Sequence, residues 1–261
     1  NDAFYDYNYK IRNAAVGGVL DAKFTDDKNF ELPENPNYLV NYVSAHDNST
    51  LHDKLIMTGL TGERLLQAQI QANALVLTSQ GVAFLHAGSE MLRSKPAAPT
   101  DRPGVIYEVD GKKYNHNSYE SPDSVNQLRW DLKANDDNLS VFNYYKALIS
   151  IRKTFDHFRL SEKELIRESI NMVYSTPENP NNYDQNQVAY KIDHNDLSIW
   201  VIHTSNTTNS IDLGDKYYSV LTDKLESNLE GLNIVTGTIT PEKYTSMILV
   251  EFNESYKVTF D

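Results

Sequence analysis

The sequence has no cysteine. That excludes disulfides, thiolate metal sites and thiol nucleophiles. It also has no apolar run of the roughly 18 residues that a membrane-spanning helix needs, and its opening, "NDAFYDYNYK", has no apolar signal core. Cations are scarce as well. Twenty-four Lys and Arg against 36 Asp and Glu leave a net charge of −12, a balance that argues against nucleic acid or an anionic membrane surface as partner, both of which need clustered cations. These absences leave the compartment open, exported or cytoplasmic alike. An opening so unlike a natural start reads as a fragment boundary.

What is present is enough to build cores. The 261 residues are 40% hydrophobic, which suits one large domain or two ordinary ones and argues against wholesale disorder. Tyrosine is abundant at 17 residues, and asparagine is frequent too. Aromatic faces with amide and carboxylate partners suit sugar recognition, although base composition of the coding sequence produces the same bias.

The first half alternates strands and helices. "YLVNYVSA" (38–45) reads as a buried strand. "TGERLLQAQIQANALVLTSQG" reads as a helix with Thr61 at its N-cap, Glu63 in its first turn and Leu66, Ile70, Ala74 and Leu77 on one face; Gly81 is its stop signal. "VAFLHAG" (82–88) is a second short strand, and strand, helix, strand in that order implies parallel pairing. From Ser94 to Trp130 periodicity vanishes, as in a functional or flexible segment. "NLSVFNYYKALISIRKTFDHF" is an amphipathic helix with Val141, Phe142, Tyr145, Leu148, Ile149 and Arg152 on one side, which Asp137 and Asn138 are placed to cap. Beyond Phe158 the period falls to two: "QVAYKID", a "DHND" turn and "LSIWVIHT" form a hairpin, and further short β runs follow, with Trp200 a core residue. "TPENPNNYDQNQ" is a polar loop in this all-β part, for which a sandwich is expected.

Both short strands of the first half end in polar residues. His46 and Asp47 follow the first, and His86, Gly88, Ser89 and Glu90 follow the second. In a (β/α)₈ barrel the chemistry lies at the C-terminal ends of the strands, so a His–Asp step there is placed at a mouth. His46, Asp47, His52 and Asp53 fit no common metal spacing. Glu90 is either a second catalytic carboxylate or, the favoured reading, a hydrogen-bond acceptor for backbone at the rim. Arg93 is expected to pair with a carboxylate. Trp130 is read as core, Tyr119 is left open between sugar stacking and core, and Asp26, Asp27, Asp136 and Asp137 are read as solvated charge.

Four blocks, "YVSAHDNSTLHDKL", "SQGVAFLHAGSEMLRSK", "NSYESPDSVNQLRW" and "ALISIRKTFDHFRLS", stand in the order and at the spacing found in type I pullulanases. These are starch-debranching members of the α-amylase family of glycoside hydrolases. The resemblance runs from about Arg12 into the β-rich tail. It implies an α/β plus all-β architecture: residues 1–157 as the C-terminal part of a (β/α)₈ TIM barrel and 158–261 as a C-terminal antiparallel β-sandwich. It implies a retaining mechanism on α-1,6-glucosidic bonds in pullulan, glycogen or starch-derived dextrins. Asp47 resembles the transition-state-stabilising carboxylate, and His46, Asn48, Asp123 and Asn126 resemble sugar-binding positions. No segment resembles the family's nucleophile Asp or acid/base Glu, which lie on earlier strands. The expected partners are therefore an α-glucan and the N-terminal part of the same enzyme, and the isolated chain is expected to be inactive. No organic cofactor is implied, no metal ligand set is visible, and calcium is an occasional family feature. The alternatives are a non-catalytic α-glucan-binding or accessory protein, or another α-amylase relative such as an isoamylase, amylase or branching enzyme.

Overall fold

The computed structural model describes residues 11–19, 34–173, 187–206 and 208–252. Asp26, Asp27 and all but the last residue of the polar stretch 176–187 lie outside them. The elements are β1 (Val40–Asn41), α1 (Leu51–Met57), α2 (Gly62–Thr78), β2 (Val82–Ala83), β3 (Ile106–Val109), β4 (Lys112–Asn115), α3 (Asp123–Asn126), α4 (Asp136–Thr154) and α5 (Lys163–Ser169). They continue as β5 (Ile170–Met172), β6 (Gln187–His194), β7 (Leu197–Thr204), β8 (Ile211–Asp212), β9 (Tyr218–Asp223), β10 (Glu226–Ser227), β11 (Ile234–Val235), β12 (Thr238–Ile239) and β13 (Ser246–Glu251).

The strand–helix–strand unit forms as the period changes predict. β1 and β2 pair in parallel, Val40 opposite Val82 and Asn41 opposite Ala83, with α1 and α2 in the crossover. Leu66, Ile70, Ala74 and Leu77 of α2 are buried. Thr61 occupies the N-cap, but its side chain makes no capping bond. Gly81 follows the helix at φ +86°, where an added Cβ would sit 2.7 Å from the Pro36 carbonyl oxygen; only glycine fits that approach. One expectation fails. The strand at 38–45 is not buried, for Val40 is 53% and Tyr42 59% exposed. Among the described residues β1 pairs with β2 alone, and this apolar strand has one edge and much of its surface open to water. No closed barrel exists among the described residues.

The tail is a seven-stranded sheet in the order β10-β9-β13-β7-β6-β5, with β11 also on β9, and every pair in it is antiparallel. Its two faces have different covers. Val188, Tyr190, Ile192, Ile199, Val201, Ile248 and Val250 face a core that includes Ile70 and Leu77 of α2 and Val141, Tyr144, Leu148 and Ile151 of α4. Ala189, Trp200, Ile202, Val220 and Leu249 face a second core with Ile211 and Leu213, beside the short β8–β12 pair. Among the described residues the second layer of the expected sandwich is thus two short strands, and helices cover the other face. All eight residues of β7 are buried because both faces are covered, so the alternation there is between two cores rather than between core and water.

One core therefore runs across residues 157 and 158. Polar bonds reinforce the join: Tyr144 donates its hydroxyl to the Ser246 carbonyl at 2.9 Å, and Gln71 donates to the carbonyls of Thr204 and Thr245. The cap of α4 is Asn135, which accepts from the backbone of Asp137 and Asn138; Asn138 instead turns inward and donates to the Met91 carbonyl. Arg152, on the inner side of α4, donates to the carbonyls of Leu77, Ser79 and Gly81 at 2.7–2.9 Å, tying off the end of α2 at the turn that starts β2. The segment 94–130 is more regular than its composition suggested. β3 and β4 form a hairpin around Asp110-Gly111, both at positive φ, the type I′ pattern.

Replacing Arg152 by Met leaves three carbonyls without their charged donor. Urea unfolding is expected to show a loss of about 2–4 kcal/mol, with the m-value unchanged.

Candidate active site

Both strand ends of the parallel pair open onto the same place. After β1 the backbone bends at His46, Asp47 and Asn48, with Asn48 at φ +60°, and then enters α1 through Thr50, whose hydroxyl accepts from the Asp53 amide at 3.1 Å. The side chains of His46 and Asp47 are 86% and 73% exposed, with Nε2 and Oδ1 3.5 Å apart. They are presented to solvent rather than consumed by the fold.

The loop after β2 turns through Gly88 (φ +95°), where a Cβ would meet Arg93 at 2.6 Å. Glu90 accepts the Gly88 amide at 2.8 Å, so its carboxylate holds the rim, as expected for the non-catalytic reading. Arg93 differs from expectation. Among the described residues it pairs with no carboxylate but donates to the Ala87 carbonyl, to the Asn126 carbonyl at 2.5 Å and to His86 Nε2 at 3.2 Å. The other ring nitrogen of His86 lies 2.8 Å from Ser44 Oγ. With Nε2 accepting from Arg93, Nδ1 carries the proton and donates to Ser44. Burial, then the cations of Arg93 and Lys95, push the His86 pKa down to about 4, so the ring is neutral at pH 7.

Asp53, weighed in the sequence only as a metal ligand, and Ser94 and Lys95, which the sequence did not single out, hold the His46–Asn48 bend. Asp53 is fully buried. Its Oδ1 accepts from Ser94 Oγ at 2.5 Å and its Oδ2 from the Lys95 amide at 2.8 Å. The Lys95 side chain, 1% exposed, reaches back to donate to the carbonyls of His46 and Asn48 at 2.6 and 2.9 Å. Lys95 lies twelve residues beyond the end of β2, and nothing in its local sequence marks it.

Asp123 begins α3 and is exposed. Asn126, at its other end, is tied down: its amide donates to the carbonyls of Ser118 and Ser121 and accepts from Ser118 Oγ. The structure joins Asn126 to the His86 side of the site through Arg93, and joins His46 and Asn48 to it through Lys95. Trp130 is 62% exposed, not core: it opens the short 3₁₀ turn Trp130–Ala134 with its own side chain at the surface; Tyr119 is 87% exposed, while Trp200 is buried as expected. Among the described residues no group of three His, Asp or Glu is placed to hold a metal ion, and no helix is long and apolar enough to cross a membrane.

No family model matches the chain. Among curated proteins, Pullulanase A of Streptococcus pneumoniae is 29% identical over 192 residues, 63% of this chain and 15% of its own length. The pullulanase of Bacillus subtilis is 37% identical over 131 residues, 49% of this chain and 16% of its own. The chain thus spans about a sixth of the length of the curated relatives it matches. Among solved structures, the pullulanase of Bacillus acidopullulyticus superposes with a TM-score of 0.72 at 26% identity, over 92% of this chain and 26% of that one. A type I pullulanase of Bacillus subtilis in complex with maltose gives 0.73 at 24% identity, over 96% and 32%. The chain is similar to type I pullulanases in sequence and in fold.

His86 is held uncharged by the fold, with a pKa below its unfolded value of about 6.5. The sign follows: its contribution to stability is complete above pH 6.5 and is lost as pH falls toward 4, where the unfolded state takes up the proton first. Urea midpoints are expected to drop between pH 7 and pH 4.5, and His86→Gln to make that drop shallower.

Proposed function

We propose that this chain is the C-terminal part of a type I pullulanase, in which β1 and β2 are the seventh and eighth strands of a (β/α)₈ barrel, α4 is its closing helix and the β-rich tail is the C-terminal sandwich. One observation carries the reading. A parallel strand–helix–strand unit presents His46, Asp47 and Asn48 at the C-terminal end of a strand whose Val40 and Tyr42 side chains stand in water. A buried barrel strand with its neighbour supplied by another stretch of polypeptide has this form.

In this reading the intact enzyme hydrolyses α-1,6-glucosidic bonds of pullulan, glycogen or starch-derived dextrins with retention. The nucleophile Asp and the acid/base Glu come from polypeptide preceding this chain, and water is the co-substrate. Asp47 faces the positive charge that develops on the anomeric carbon. At an effective dielectric constant near 20, a carboxylate about 4 Å from that charge is worth about 4 kcal/mol, close to a thousandfold in rate. His46, Asn48 and Asp123 supply hydrogen bonds to glucose hydroxyls. Asn126, its amide engaged with Ser118 and Ser121, acts by holding α3 against Arg93. Exposed Tyr119 and Trp130 offer faces for sugar rings.

A second reading, α-glucan binding without turnover by this chain alone, is favoured by Glu90. Its carboxylate is bound to the Gly88 amide, which leaves Asp47 without a second free carboxylate on the neighbouring loop. The two readings part on addition of the missing polypeptide.

The isolated chain is expected to release no reducing ends from pullulan, and co-expression with the N-terminal part of the enzyme to restore hydrolysis. Turnover by the chain alone would refute the assignment. In the restored enzyme, Asp47→Asn is expected to lower kcat by about a thousandfold. Tyr42→Glu is expected to block restoration while leaving the melting temperature of the isolated chain unchanged.

A further inference from the structure

We propose that Lys95 is a positioning residue for Asp47: its buried ammonium holds the two carbonyls on either side of that carboxylate and so sets the direction in which it points. The inference rests on the functional reading above.

A wholly buried lysine is unusual, because removing an ammonium from water is expensive unless it is well bonded. Filling space alone would be done better by Met or Leu. Among the described residues Nζ makes no ion pair within 4 Å; it donates to the carbonyls of His46 and Asn48. These bracket Asp47 in sequence. Two carbonyls drawn onto one inner donor turn the intervening residue outward, and the Asp47 side chain is 73% exposed. Asn48 at φ +60° completes the bend.

The clamp is itself anchored. The Lys95 amide and Ser94 hydroxyl bind opposite oxygens of Asp53, which is fixed to the start of α1 through Thr50. The loop after β2 is thereby fastened to α1, and its lysine returns to the loop after β1. Neither strand is long enough to enforce this alignment, since the parallel ladder is two residue pairs. Burial and then the Arg93 cation lower the Lys95 pKa, and the carboxylates of Asp53 and Asp47 act against them.

The test combines amide exchange of the isolated chain with kinetics of the chain completed by its N-terminal part. Lys95→Met is expected to speed exchange at residues 46–49 by roughly tenfold or more while α2 is unchanged, and to lower kcat by a similar factor with KM little altered. Lys95→Gln, whose amide still donates to one carbonyl, is expected to fall between, and carries the same readings if the Met variant does not fold. Unchanged exchange, unchanged kcat, or acceleration spread equally through α2 overturns the clamp. Full turnover by Asp47→Asn in the completed enzyme overturns the functional reading and the clamp with it, which separates the two failures.

Discussion

Burial of one face of the seven-stranded sheet against α2 and α4 is the contact on which the placement of the site depends. Ile199, Val201, Ile248 and Val250 meet Ile70, Leu77, Tyr144 and Leu148 there, and each fully buried aliphatic or aromatic side chain contributes about 1.5–3 kcal/mol. This core fixes α2, and the end of α2 fixes β2, through Arg152 on the carbonyls of Leu77, Ser79 and Gly81 and through Gln80, whose amide donates to the His157 carbonyl. β2 in turn launches the loop that carries Glu90, Arg93 and Lys95. The sheet is remote in sequence from the His–Asp step, yet it supplies the rigid floor from which that step is aimed.

Charge near the site runs against the charge of the whole. A chain with a net charge of −12 gathers Arg93, Lys95, Lys54 and His46 close enough to His86 to help hold that ring neutral. Arg93 and Lys95 donate to backbone carbonyls, and so shape the two loops.

The helices and the tail hairpin were legible because local periodicity and global burial agree there. Leu66, Ile70, Ala74 and Leu77, and likewise Val188, Tyr190 and Ile192, are buried as their spacing foretold. Reading failed where a residue's environment comes from distant chain. Asn135, not Asp137, caps α4, and several polar residues in a row gave no way to choose among them. The apolar spacing of 38–45 marked a strand truly, but burial needs neighbours, and Val40 and Tyr42 have water instead. Asp110-Gly111 was a visible turn signal inside a segment whose proline and asparagine content masked it. Arg93, expected to pair with a carboxylate, donates instead to the carbonyls of Ala87 and Asn126 and to His86 Nε2, a choice set by loop geometry.

By itself the sequence determined the two long helices and the tail hairpin, that two short strands run parallel, and that a His–Asp–Asn step follows the first of them, since propensity, period and chain order are local quantities. Tertiary structure decided which polar groups stay free and which are consumed. Glu90 and Asn126 are bound into the scaffold, His46 and Asp47 are left in solvent, and a lysine with no distinguishing neighbours becomes the buried donor behind them. The reason is physical: a side chain's availability depends on which donors and acceptors the fold brings within about 3 Å of it, and those arrive from positions tens of residues away.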